Sequence, residues 1–139
     1  MKYINESDIK NLVISFENGT ISRKNWRHAE HLVVANFYLT QSKSLSDAYL
    51  KMKHGIFNLL RSFEVDLEKE MPYHETLTFF WMKTVDEFRK TKNGYSLLEI
   101  TNEVTAKFDK DYPLKFYSRE LLFSDEARAK FVEADLPAK

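Results

Sequence analysis

Between residues 22 and 42 apolar side chains cover nearly every side of a helix, and this stretch constrains the fold more than any other. At about 100° per residue, His28, His31, Leu32, Ala35 and Leu39 share one stripe, while Val33, Val34 and Phe37 fall on other sides. A helix that is apolar on one face can lie at a surface, but one that is apolar all round has to be covered by neighbours. The expectation is a helix from Ser22 or Asn25 to Thr40 in the middle of a bundle, with both histidines facing inward.

The flanking sequence supplies the covering elements. Ile9, Leu12, Val13 and Phe16 recur at helical spacing after Ser7-Asp8, and Asn18-Gly19 provides a stop. A third helix follows Ser44 or Ser46, with Ala48, Tyr49, Met52, Ile56 and Leu59 on one face; His54 projects from its polar side. The stretch from Glu64 to Met71 reads as a loop. Pro72 suits the first position of a fourth helix, with His74, Leu77, Thr78, Trp81, Val85 and Phe88 along one stripe. Ser96 caps a fifth helix, and short helical turns around 119–122 and after Ser124 complete the chain. Nothing resembling a linker or repeat interrupts it. The predicted fold is all-α, a single domain over residues 1–139, built as a bundle of five to six helices around the central buried one.

Composition agrees with a packed helical domain and narrows the function. Two tryptophans, seven tyrosines and eleven phenylalanines stand against three glycines and three prolines in 139 residues, which makes a heavy core with few irregular loops. Without cysteine there is no disulfide, thiolate ligand or cysteine nucleophile, as suits a reducing compartment. No run of eighteen apolar residues is present, and the first residues lack the apolar core of a signal peptide. A cytoplasmic protein without a membrane partner is expected. Lysine plus arginine and aspartate plus glutamate balance at 21 each, so no net field attracts a phosphate backbone, and nucleic acid is not expected as a partner. Three glycines, at 19, 55 and 94, cannot build a phosphate loop or a dinucleotide fingerprint.

The chemistry-bearing residues form one constellation. Trp26, His28 and His31 make a Trp-x-His-x-x-His-Leu pattern, and Tyr73-His74-Glu75-Thr76 opens the fourth helix. Histidines at i and i+3 reach toward one point, and His74 supplies a third ring. At a helix start the positive end of the dipole keeps that ring neutral, as a metal requires. His28, His31 and His74 are therefore expected as ligands of a divalent metal, with zinc the best suited. An open fourth position would make its bound water a nucleophile near neutral pH. Glu75, turned by about 100° from His74, is the expected acid-base partner in a metal-dependent, hydrolytic type of enzyme. Trp26, Tyr73, Thr78 and Trp81 are expected to wall the pocket. Two other readings stay open. In one, the histidines serve a small-molecule pocket without metal. In the other, they are satisfied core residues of a non-catalytic helical module able to self-associate as a homo-oligomer.

The same motifs resemble an uncharacterised bacterial family of small all-helical proteins. The resemblance rests on Phe16-Glu17-Asn18-Gly19-Thr20, Trp26-Arg27-His28-Ala29-Glu30-His31-Leu32, Tyr73-His74-Glu75-Thr76-Leu77-Thr78, and Tyr117-Ser118-Arg119-Glu120-Leu121-Leu122-Phe123-Ser124 running on to Leu136. In that family glycine stands where this chain has Pro72 and proline where it has Ala134. These departures touch a loop and the tail, not the histidines. The resemblance implies no activity. It supports the choice of residues and implies that the tail folds back toward the site.

Overall fold

Seven α-helices are found among the described residues, 3–137 of the chain, in this computed structural model. Five are long: α1 (Glu6–Glu17), α2 (His28–Gln41), α3 (Leu45–Ser62), α4 (Glu75–Lys90) and α5 (Leu97–Lys107). Two are short, α6 (Arg119–Leu122) and α7 (Asp125–Ala129), and 3-10 turns lie at Arg23–Asn25 and Tyr112–Lys115. No residue among those described is in a strand. The all-helical class follows from the periodicity, and the expected five to six helices become seven when the two short turns read in the tail, at 119–122 and after Ser124, are each counted as a helix.

Local chemistry sets the ends. Asn5 caps α1 by accepting from the Asp8 amide, and the Asp8 carboxylate returns a bond to the Asn5 amide, so the helix starts before the Ser7-Asp8 signal. Gly19 closes this segment at φ +69°, and a Cβ there would lie 2.7 Å from that of Ser62. Ser44, Ser96, Ser118 and Ser124 cap α3, α5, α6 and α7, each side chain accepting from the amide three residues on.

Two further starts differ from expectation, and both bear on the site. α2 begins at His28, not at Ser22 or Asn25, because a 3-10 turn capped by Ser22 intervenes and Arg27 is extended. The Glu30 carboxylate accepts from the Arg27 amide at 3.1 Å and so fixes the new start. The fourth helix begins at Glu75, not at Pro72: His74 is its extended N-cap, and Pro72 lies in the preceding loop.

α2 packs against α1, α3, α4 and α5. Its buried residues include Leu32, Val33, Val34, Ala35, Tyr38 and Leu39, which sit on every side as the sequence requires. Phe16 of α1 lies so close to α3 that a Cβ on Gly55 would fall 2.4 Å from its ring, so glycine permits the approach. Asn36, fully buried in α2, donates to Thr101 of α5 at 3.0 Å and ties these two helices together. The residues after α7 run back over the domain. Thr76 donates to the Lys130 carbonyl and accepts from the Val132 amide, while Tyr117 donates to the Val132 carbonyl. Among the described residues no helix is long and apolar enough to cross a membrane.

Candidate functional site

The three histidines surround two adjoining hollows, but their nitrogens are committed differently. One hollow, about 320 Å³, is lined by Trp26, His28, His31, Thr78 and Trp81, together with Ala35, Met52 and Met82. The other, about 270 Å³, is lined by Trp26, His31, Tyr73, His74 and Thr78, with Ile56, Leu60 and Phe63 behind them. Trp26, His31, Pro72 and Thr78 line both and form the wall between them.

His74 is spent on structure. Its Nδ1 accepts from the Leu77 amide at 3.1 Å, which caps α4, and its Nε2 lies 2.6 Å from the Leu122 carbonyl. A carbonyl only accepts, so Nε2 carries the proton and the ring is the neutral tautomer with both nitrogens occupied. Burial lowers its pKa, with Arg128 pushing the same way and the Leu122 carbonyl opposing. His28, first residue of α2, donates from Nε2 to the Phe108 carbonyl at 2.9 Å while its ring rests 4.7 Å from that of Trp81. This bond anchors the start of α2 to the end of α5.

His31 is different. Its ring lies 4.4 Å from Trp26, whose other neighbour is Phe16, stacked at 4.8 Å. Burial pulls its pKa down to about 4, and the nearby His28 adds to this, against a smaller opposing pull from the Arg27 carbonyl and Glu30. It is therefore a neutral imidazole at neutral pH, and alone of the three it borders both hollows.

The expected metal centre is not what this geometry builds. His74 would have to give up a helix cap or a buried bond to bind an ion, and His28 points one nitrogen at a carbonyl. Among the described residues no three His, Cys, Asp or Glu side chains are grouped so as to hold a metal. The residues do not fit the ion that the spacing suggests, because the i, i+3 argument places rings on adjacent turns without fixing where their nitrogens point.

Glu75 also departs from its expected place. It lines neither histidine hollow but a separate one of about 380 Å³, bounded by Lys53, Phe57, Tyr73 and Arg128. Its carboxylate accepts from the Tyr49 and Tyr73 hydroxyls, the latter at 2.7 Å, and pairs with Lys53 at 3.1 Å. Burial alone would raise its pKa, but these three donors outweigh it and hold the carboxyl below its ordinary value. The same contact, added to burial, raises the pKa of both tyrosines. A carboxylate held in this way ties α3 to α4, and it is a poor proton carrier. Tyr49 and Lys53 were missed in the sequence although they lie one turn apart on α3, the spacing that would have placed both beside one acceptor.

Of the expected wall, Trp26 and Thr78 line both hollows and Trp81 the first. Tyr73 contributes its ring, packed 4.7 Å from Phe57, while its hydroxyl is turned away to Glu75. Ala35, Met52 and Met82 were missed as lining residues because, at helical spacing, they are indistinguishable from core. Compared with protein-family models, with curated proteins and with solved structures, the chain matches none of them.

Proposed function

We propose that this chain is a small-molecule-binding domain that needs no metal, its ligand held in the paired hollows against Trp26, His31 and Trp81. In this reading the bundle is organised around α2, which carries His31 into the wall that the hollows share. The observation that carries it is the contrast among the histidines. His28 and His74 bond to carbonyls of other elements, while His31, near the Arg27 carbonyl of its own turn, borders both cavities as a neutral ring. Cavities of about 300 Å³ and upward, mostly apolar with a few fixed polar groups, are where small ligands bind. Here the fixed polar groups are the His31 ring and the Thr78 hydroxyl, which donates to the His74 carbonyl at 2.8 Å. Glu75 acts as a structural acceptor, so binding, not acid-base catalysis, is the activity supported.

The test is a ligand-observed NMR screen of small aromatic and aliphatic fragments on the protein and on Ala35→Met, which puts a longer side chain into the first hollow. Fragments that bind the native chain and lose at least about tenfold in affinity to the folded variant support the reading. Fragments that bind both proteins equally place the ligand elsewhere and sink it.

A further inference from the structure

We infer that the ligand of this site is an anion with a small apolar body, of which an aromatic carboxylate is the simplest kind; the inference rests on the small-molecule reading above. The charged side chains that line the hollows are all cationic. Arg23 borders one, Arg27 and Lys110 border the other, and no aspartate or glutamate lines either. Glu30 and Glu70 partner Arg27 and Arg23, whereas Lys110 makes no ion pair among the described residues. The backbone adds to this. Both hollows lie at first turns, His28 and His31 being at the start of α2, and Leu77 and Thr78 at the start of α4. Although Glu30 accepts from the Arg27 amide and His74 from the Leu77 amide, the remaining first-turn amides and the aligned peptide dipoles make the field of a helix start positive.

An amine in this place would meet cations at the rim and no carboxylate inside. A neutral ligand would gain only the apolar walls, formed by two indoles, Met52, Met82 and Leu77. A carboxylate gains both, because its body is buried while its charge stays at the mouth beside Lys110. Leaving the charge at the mouth avoids the cost of burying it. His31 then meets the ligand body, or a polar group on it, as a neutral hydrogen-bonding partner.

The experiment compares 3-phenylpropanoate, 3-phenylpropanamide and 3-phenylpropylamine, which share one body and differ in head-group charge. Each is titrated by saturation-transfer NMR into the native chain, Lys110→Gln and Ala35→Met. Expected is a carboxylate that binds about tenfold more tightly than the amide, with the amine weakest. Lys110→Gln, at an exposed position, should remove most of that preference and leave the amide unchanged. A native chain that binds amide as tightly as carboxylate, or prefers the amine, overturns the anionic class while the pocket stands. If none of the three binds, or if Ala35→Met leaves carboxylate binding intact, the pocket reading itself fails and the anionic class falls with it.

Discussion

At the scale of single residues, the informative comparison is between histidines that look alike in the sequence. His28 and His31 are three residues apart on one stripe, yet the first donates to Phe108 and the second borders two hollows. The inward direction was legible from periodicity. The partner was not, because it depends on how the end of α5 meets the start of α2. The His31 environment has a consequence in acid. In the folded protein the ring stays neutral down to about pH 4, while in the unfolded chain it takes up a proton near its ordinary 6.5. Between those values the unfolded state binds more protons, so stability is full above pH 6.5 and is lost as the pH falls toward 4. Replacing the ring by phenyl removes this contribution. Urea unfolding of His31→Phe and the native chain at pH 7 and pH 4.5 should show a smaller acid loss in the variant, by on the order of 1 to 3 kcal/mol. Equal losses would mean that the ring takes its proton freely while folded.

At the scale of elements, helix ends decide the site. Helix interiors were readable from spacing, but the starts of α2 and α4 each lie several residues later than the capping signals suggest. The cause is side-chain bonding peculiar to this chain: Glu30 returns to the Arg27 amide, and His74 replaces the usual serine or aspartate as a cap. That substitution turned a candidate ligand into a structural part. His74→Ala removes both the cap and the bond to Leu122, and should cost about 2 to 4 kcal/mol. His74→Asn can still accept from the Leu77 amide and should recover about 1 kcal/mol of it. Chemical unfolding of the two variants measures this order. If alanine and asparagine prove equivalent, or alanine is harmless, His74 is not holding α4 to α6.

At the scale of the whole molecule, the fold class was carried by one physical fact: residues 22–42 have too much apolar surface to be anything but covered. The tail was legible in part: the turns read at 119–122 and after Ser124 are α6 and α7, whereas the return of residues 130–132 over Thr76 and Tyr117 is held by isolated side-chain bonds that leave no period. The site was legible as a set of residues and misleading as a centre. Trp26, His31, Thr78 and Trp81 do gather around the hollows, while Glu75 belongs to a different junction with Tyr49 and Lys53. Both outcomes have the same origin. Side-chain direction from a helix is set by the 100° step, but the atom a polar tip finally meets is set by the neighbouring element.

The most direct measurement uses the two indoles, since Trp26 and Trp81 are the only tryptophans and both wall the first hollow. Protein labelled with nitrogen-15 at tryptophan gives two indole signals, observed while 3-phenylpropanoate and, separately, zinc are added. The expected result is that both signals move with saturable dependence on the carboxylate, that neither moves in Ala35→Met, and that zinc at equimolar concentration leaves them in place. Indoles that respond to zinc and lose that response in His28→Ala and His31→Ala would contradict the account, restoring a metal centre where the geometry points to a ligand pocket.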